Sequence, residues 1–193
     1  PQQARRLRSS HFSFSFVRNP FDRLVAAYNN KILEIDDVPL PMKSMGLHHG
    51  MAFNHFIEAV CEADPEHMDN HVRPQAEMLL YSNQIVPKFI GRMEHMSDHW
   101  QRLRRRMKKE GLPTLGELPL KNVRRDGRSD IRNLFCSTEL VNKVLERYAQ
   151  DFNTFYSDYS IEELLSGDCL KKLPPLQRKT KESDLKKDLQ PST

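Results

Sequence analysis

Apolar residues near the start of the chain first alternate at the period of a strand and then recur at the spacing of a helix. The segment FSFSFV at residues 12–17 alternates phenylalanine with serine before Val17, which predicts a β-strand. Asn19 can cap a helix, and Pro20 suits its first position because a missing N–H costs nothing there. The helical stripe then consists of Leu24, Val25, Tyr28 and Ile32.

This pattern leaves Arg18 at the carboxyl end of a strand and beside the N-terminus of a helix. Open α/β sheets bind ligands in such a crevice, and helix N-termini favour anions. The pattern therefore predicts an anion site, although an arginine at a strand end can equally be solvated or ion-paired. The local sequence does not identify the ligand.

The same periodicities predict further elements along the chain. We expect the first helix to end near residue 34, and a segment rich in proline and glycine to form a loop over 36–50. Residues 67–75 are polar and are predicted to form a second loop. Ser160 and Glu163 have the spacing of a capping box at the start of a short helix. The other predicted elements are helices over 51–63, 97–110 and 137–149 and a strand over 85–90 that Pro87 bends or confines to an edge.

Composition is that of one globular domain. The chain has 193 residues, 38% of them hydrophobic and 29% charged, and no apolar run approaches the roughly 18 residues that span a bilayer. We assign residues 1–166 to the domain and expect the basic tail at 167–193 to be disordered. The three cysteines lie far apart without metal-ligand spacing, which predicts neither a structural metal site nor a disulfide framework and leaves the redox compartment open.

Four segments resemble, in the same order, the PAPS-dependent sulfotransferases and above all their carbohydrate branch; PAPS is 3′-phosphoadenosine 5′-phosphosulfate. The long, ungapped VRNPFDRLVAAY from Val17 is similar to the family's 3′-phosphate-binding segment. The others are NHVRPQAEMLL from Asn70, IVPKFIGRMEHMSDHW from Ile85 and LERYAQDFNTFYSDY from Leu145. Residues 78–82, MLLYS, lack the cysteine pair found there in one branch, which argues against the animal chondroitin-type enzymes.

The resemblance implies a fold, an activity and a compartment. We expect an α/β, P-loop-like fold with a mostly parallel central sheet flanked by helices. The implied reaction moves a sulfuryl group from PAPS to a hydroxyl, most naturally that of a carbohydrate, without a metal. The compartment would be the Golgi lumen for a eukaryotic carbohydrate sulfotransferase and the cytoplasm for a bacterial enzyme.

The resemblance also assigns site residues. Arg18 corresponds to the arginine that binds the 3′-phosphate, and Ala26 stands where the family has a serine that binds the same group. A lost hydrogen bond to a charged group weakens binding by roughly 1.5–3 kcal/mol unless another donor replaces it. His71, in the H-x-x-P-Q segment, is the candidate general base, with a surface or bracing histidine as the alternative. A basic loop that closes over the cofactor or an acidic sugar would contain Arg124, Arg125 and Arg128.

One expected feature is absent from the sequence. These enzymes hold the 5′-phosphosulfate in a turn of small residues with a lysine or arginine, and no such segment precedes the strand at residue 12. Since the chain also begins at Pro1, we expect a fragment or processed product that lacks this strand and loop and is inactive alone. The alternative is a naturally shortened homologue that cannot transfer sulfate.

Charge suggests a function of another class. The formal net charge is +4, but basic residues are concentrated in RLRRRMKK at 102–109. This cluster is either a solvated helix face or the surface of a non-catalytic module that binds a nucleotide, a sulfated glycan or nucleic acid. The nucleic-acid signal is weak, because aromatic residues do not interleave with the cations. Glu94, in the GRME turn, is predicted to pair with a basic neighbour rather than to orient the acceptor.

Overall fold

The structure, a computed structural model, describes residues 11–118 and 134–165. Its strands are β1 (Phe14–Val17), β2 (Leu80–Tyr81), β3 (Gln84–Ile85) and β4 (Phe89–Arg92). Its α-helices are α1 (Pro20–Tyr28), α2 (Leu40–Ser44), α3 (Phe53–Glu62), α4 (Gln75–Leu79), α5 (Met96–Lys109), α6 (Thr138–Arg147), α7 (Ala149–Phe155) and α8 (Ile161–Leu165). Short 3₁₀ turns occupy Pro65–His67 and Met93–His95, and a π-helical turn, Asn29–Leu33, continues α1. The predicted tail at 167–193 lies outside the described residues.

Strands β1 and β4 form a parallel pair. β1 pairs with β4 in parallel, with Phe14 opposite Phe89 and Val17 opposite Arg92. Because the two strands run the same way, their carboxyl ends meet at one edge, and the chain leaves that edge at Arg18 and at Met93. This parallel pair with flanking helices confirms the expected α/β class.

The predicted strand over 85–90 was wrong in extent. The chain forms a tight antiparallel hairpin of β2 and β3 first, and β4 begins only at Phe89, after Pro87. Ser82 and Asn83 make the hairpin turn with φ values of 48° and 58°, the left-handed conformation that both central residues of a type I′ turn require. Proline cannot donate to a strand ladder, so Pro87 lies between the two strands.

Gly91 on β4 leaves room for the aromatic ring of Phe16, its partner on β1. It lies opposite Phe16, and a Cβ at this position would be 2.3 Å from Phe16 Cε1. The Phe16 ring lies over the glycine, with its centroid 6.2 Å from that of Trp100 on α5. The glycine of the FIGR segment is therefore a packing requirement of the strand pair.

The core surrounds α1, whose apolar face is buried as predicted. Phe21 contacts Phe135 and Phe152, with ring centroids 5.0 and 5.3 Å apart. Tyr28, at the other end of the helix, packs on Phe53 of α3 and donates a hydrogen bond to the carbonyl of Met51. Helix α1, and with it the position of Arg18, is thus fixed by aromatic packing on several elements.

Helix boundaries differ from the prediction at a few points. A short helix, α2, lies within the predicted loop at 36–50, and α4 begins at Gln75, the last residue of the loop predicted over 67–75. The capping box of α8 is confirmed: Glu163 N–H donates to Ser160 Oγ at 3.1 Å, and Ser160 N–H donates to Glu163 Oε2 at 2.7 Å. Asn19 also caps α1 as predicted, accepting from Phe21 N–H at 3.1 Å.

The cysteines differ in state. Cys136 is disulfide-bonded, which corrects the expectation drawn from the wide cysteine spacing. Sequence separation does not report which sulfur atoms approach in space. Cys61 on α3 is a free thiol, and burial raises its pKa to about 11, so that it stays protonated at neutral pH.

None of the helices given above has the length and apolar character needed to cross a bilayer.

Candidate functional site

The main chain of Arg18 is held on both sides by one buried side chain. Gln75, the first residue of α4, accepts from Arg18 N–H at 2.9 Å and donates through Nε2 to the Arg18 carbonyl at 2.8 Å. A primary amide can form this pair because it carries a donor and an acceptor side by side. The residue after β1 is therefore joined to the start of α4 as though a further strand lay beside it.

Gln75 is held in turn by a carboxylate from the C-terminal half of the chain. Asp151 on α7 is fully buried and accepts from the N–H groups of Gln75 and Ala76 at 2.9 and 2.6 Å and from Gln75 Nε2 at 3.2 Å. Burial raises the pKa of Asp151, while these N–H donors and the nearby Arg23 guanidinium oppose the shift. Asp151 thus fixes both the start of α4 and the orientation of the Gln75 amide.

A second set of hydrogen bonds holds Asn19, the next residue. Its backbone N–H donates to Glu94 Oε1 at 2.6 Å, and its Nδ2 donates to the carbonyl of Leu164 at 2.8 Å. Glu94 Oε2 accepts from the Tyr156 hydroxyl at 3.1 Å. The prediction that Glu94 pairs with a basic neighbour was wrong in its partner, because the carboxylate accepts from a backbone amide and a phenol instead. Both carboxylate oxygens of Glu94 thus contact groups of the protein itself.

The Arg18 side chain is free while its main chain is fixed. Arg18 as a whole is partly buried, and among the described residues its guanidinium has no hydrogen bond or ion pair. The neighbouring cation, Arg23, donates to the carbonyls of Arg73 and Asn70 at 2.5 and 2.6 Å. Burial lowers the pKa of Arg23, and the positive charge of Arg18 acts in the same direction. Arg18 is therefore a cation at the carboxyl end of a strand that no described carboxylate neutralises.

Ala26 lies further along α1 and is partly exposed. Its methyl group cannot donate a hydrogen bond, so it adds no polar contact to the site. The structure places it on the helix whose N-terminus follows Arg18, in the arrangement that the sequence predicted. Its ligand contact remains a prediction.

His71 lies in a turn that is fastened to α1. Its Nδ1 is 2.7 Å from Asp69 Oδ1, and the same oxygen accepts from His71 N–H at 2.8 Å. Arg23 on α1 donates to the carbonyls of Asn70 and Arg73, which attaches the turn to α1. Gln75 comes four positions after His71, which bounds the distance between their Cα atoms at roughly 14 Å. The structure therefore brings His71 and Arg18 into one region.

The end of β4 contributes a cluster that was not predicted. The Arg92 guanidinium binds both oxygens of Asp158, at 2.8 and 2.6 Å, and lies over the rings of Tyr156 and Tyr159. Its backbone N–H donates to His99 Nδ1 at 2.6 Å. Burial lowers the pKa of His99, in keeping with an unprotonated Nδ1. The sequence signal was the position of Arg92 at a strand end, in the segment that resembles the family.

Half of the basic cluster on α5 is neutralised locally. Arg102, Arg104 and Arg106 form ion pairs with Asp98, Glu117 and Glu110 respectively. Three exposed cations, Arg105, Lys108 and Lys109, have no ion pair within the described part of the chain. This weakens the field on which the anion-binding alternative depends, while that alternative itself stays a prediction. The predicted loop residues Arg124, Arg125 and Arg128 lie outside the described residues.

The four segments that resembled one family are joined in space. Arg18, Gln75 and Asp151 come from three of them, and Glu94 from the fourth is hydrogen-bonded to Asn19 of the first. A comparison with protein families agrees, since the profile of the Sulfotransferase family matches residues 1–158. This chain belongs to the sulfotransferase family. No curated protein and no solved structure matched it.

Membership fixes the general chemistry of this sulfotransferase. Sulfotransferases move a sulfuryl group to a hydroxyl acceptor, and this family generally takes the group from PAPS. Across residues 11–118 and 134–165, no group of three or more histidine, cysteine, aspartate or glutamate side chains is placed to hold a metal ion. A partly buried arginine at a strand end, unpaired within the described part of the chain, fits a phosphate of such a donor.

Replacing Asp151 by asparagine tests how far the site depends on this buried carboxylate. The amide would turn an NH₂ group toward N–H donors, and we expect a loss of about 2–3 kcal/mol in the free energy of unfolding. Urea unfolding measures it. The matched control is Asp37→Asn, whose side chain is 90% exposed and pairs with Lys43, and whose effect should stay within about 0.5 kcal/mol. Equal effects of the two variants would contradict the structural role of Asp151.

Proposed function

We propose that this sulfotransferase binds PAPS with Arg18 on the 3′-phosphate and transfers its sulfuryl group to a carbohydrate hydroxyl. One observation carries the proposal: Arg18 has a doubly anchored main chain, is partly buried, and has a guanidinium without a partner among the described residues. A cation that served only the fold would be expected to have a carboxylate beside it. The fold here leaves its charge available to a ligand.

The geometry around Arg18 suits a phosphate. A guanidinium can bind two phosphate oxygens at once, and the N-terminus of the nine-residue helix α1 follows immediately. Arg23 adds a second positive charge close by, although its own donors serve the turn at 70–73. A dianionic phosphate would relieve the repulsion between these two cations. The site therefore favours a phosphate over a neutral ligand.

His71 is the proposed general base. In the reaction the acceptor oxygen forms a bond to sulfur while the bond between sulfur and the phosphate oxygen breaks, and the nucleotide leaves as 3′,5′-diphosphoadenosine. The acceptor's hydroxyl proton passes to His71 Nε2. Transfers of this kind depend mainly on positioning and on charge stabilisation, to which a base adds about 10²–10⁴-fold. The exposed imidazole, in a turn fastened to α1, is open to an acceptor from solvent.

The carbohydrate acceptor and the compartment are parts of the same proposal. The acceptor rests on the resemblance of the VRNPFDRLVAAY segment to the carbohydrate branch. The disulfide at Cys136 supports an oxidising compartment, because cytosolic thiols are kept reduced. We therefore place the protein in the Golgi lumen or an equivalent oxidising space rather than in the cytoplasm.

Binding of 3′,5′-diphosphoadenosine tests the nucleotide site directly. We expect millimolar nucleotide to raise the melting temperature of the protein, since a ligand that binds only the folded state stabilises it. Arg18→Ala should weaken binding by about 10- to 100-fold, the value of a charged hydrogen-bonded contact. The control is Arg105→Ala, which removes an exposed cation of α5 and should bind like the wild type. Absence of any shift in the wild-type protein would refute PAPS binding.

Ala26→Ser should strengthen nucleotide binding. The serine restores the hydroxyl donor that the related enzymes have at this position, and a new hydrogen bond to a phosphate improves the dissociation constant by about 10-fold or more. Isothermal titration with 3′,5′-diphosphoadenosine measures the change. Ala59→Ser on α3, also a partly exposed helical alanine, controls for the general cost of serine in a helix. An unchanged affinity in Ala26→Ser would show that the phosphate does not lie against this part of α1.

His71→Ala should abolish transfer without loss of the nucleotide. We expect sulfate transfer from radiolabelled PAPS to a panel of glycans, assayed with the full-length protein, to fall about 100-fold or more. Binding of 3′,5′-diphosphoadenosine should be unchanged, because Arg18 is intact. His67→Ala, an exposed histidine in the preceding 3₁₀ turn, is the control. Nucleotide binding with no transfer by the wild-type protein would instead favour the non-catalytic anion-binding alternative.

A further inference from the structure

We propose that Asp69 is a positioning residue that holds His71 in the one tautomer able to act as a base. This inference deepens the proposed function and rests on it, since a base is needed only if the site transfers a group to a hydroxyl. Nothing in the sequence pattern singled out Asp69. The assignment comes from the hydrogen bonds around the His71 ring.

The Asp69 carboxylate determines which ring nitrogen carries the proton. Its Oδ1 lies 2.7 Å from His71 Nδ1, and a carboxylate can only accept, so Nδ1 must be the protonated nitrogen. In the neutral ring Nε2 is then the lone-pair nitrogen. Among the described residues Nε2 has no hydrogen-bond partner, and the side chain of His71 is 52% exposed. The basic nitrogen is therefore available to an acceptor hydroxyl.

Asp69 itself is unable to move far. Its side chain is only 9% exposed, and its Oδ1 also accepts from His71 N–H at 2.8 Å, so one oxygen fixes both the backbone and the ring of His71. The Asp69 carbonyl accepts from the N–H groups of Val72 and Arg73, at 3.0 and 2.9 Å, which closes the turn. A ring held at its backbone and at Nδ1 loses most of its rotational freedom. That is the preorganisation a general base requires.

The turn that carries the pair is attached to the phosphate side of the site. Arg23 on α1 donates to the carbonyls of Asn70 and Arg73, and the Tyr148 hydroxyl donates to the carbonyl of Val72. Tyr148 is completely buried, so that this contact ties the turn to the core. The position of His71 Nε2 relative to Arg18 is consequently set by the fold and not by a flexible loop.

The chain contains a second aspartate–histidine pair, Asp64 and His67, whose aspartate is not buried. Asp64 accepts from Glu66 N–H at 3.0 Å and lies 3.0 Å from His67 Nδ1, the same pattern of one backbone and one ring contact. Both side chains are well exposed, at 58% for Asp64 and 76% for His67. Asp64 and His67 therefore control for the chemistry of an aspartate–histidine pair without the buried support.

The experiment measures the tautomer and the reaction separately. Long-range ¹H–¹⁵N spectra of the full-length protein should show wild-type His71 protonated at Nδ1. Asp69→Ala should give a mixture of tautomers, with kcat for sulfate transfer about 10- to 100-fold lower and KM for PAPS unchanged. Asp69→Asn should retain the Nδ1-protonated tautomer, because the amide oxygen can accept the same two hydrogen bonds, but should lose part of kcat, because the neutral amide does not stabilise a protonated ring. Asp64→Ala should change neither the His71 tautomer nor kcat.

The outcomes separate the inference from the proposed function. A His71 tautomer that is unchanged in Asp69→Ala, or a fall in kcat that Asp64→Ala reproduces, would overturn the positioning role of Asp69. A normal transfer rate in His71→Ala would overturn the proposed base, whatever the tautomer shows. If Asp69→Ala loses both the protonation of His71 at Nδ1 and the high kcat, and Asp69→Asn restores the protonation at Nδ1, the result supports both.

Discussion

The side chain of Gln75 is the contact on which the rest of the site depends. It pairs with both main-chain groups of Arg18, at 2.9 and 2.8 Å, and it can do so only because Asp151 holds the amide from the other side. Residues from the beginning, middle and end of the chain are thus linked through buried polar groups. An unpaired polar group in the interior costs about 1–3 kcal/mol, so each member of the network requires the others. The consequence is a fixed strand end, at which the Arg18 guanidinium has no partner in the segments that the structure describes.

This arrangement separates two demands that a binding site makes on one residue. The backbone of Arg18 must be rigid so that the bound group is placed well, whereas its charge must remain unneutralised so that an anion can bind. Here the Gln75 amide forms hydrogen bonds with the N–H and the carbonyl of Arg18, and no described carboxylate pairs with the Arg18 guanidinium. The neighbouring strand end shows the contrasting case, since Arg92 is neutralised by Asp158 and covered by two tyrosines. Two arginines at one sheet edge therefore serve different purposes.

Much of the fold followed from local patterns. The alternating phenylalanines predicted β1, Asn19 and Pro20 predicted the start of α1, and Ser160 with Glu163 predicted the cap of α8, because each feature depends on residues close in sequence. The strand over 85–90 failed because Pro87 separates two short strands, of which β3 pairs with its hairpin neighbour β2 and β4 pairs with β1, far away in sequence. Within the site, Arg18 and His71 were predicted from position and resemblance, whereas Asp69 and Arg92 were not.

The sequence by itself determined the family, the strand-to-helix turn at Arg18 and the absence of the expected serine at Ala26, since these are properties of contiguous residues. Only the tertiary structure decided what the other matching segments do. Gln75, Glu94 and Asp151 proved to be supports of the main chain at residues 18 and 19, and the carboxylate of Asp69 oriented the ring of His71. The physical reason is that a buried hydrogen bond joins groups by proximity and direction in space, and these are set by packing between elements far apart in sequence.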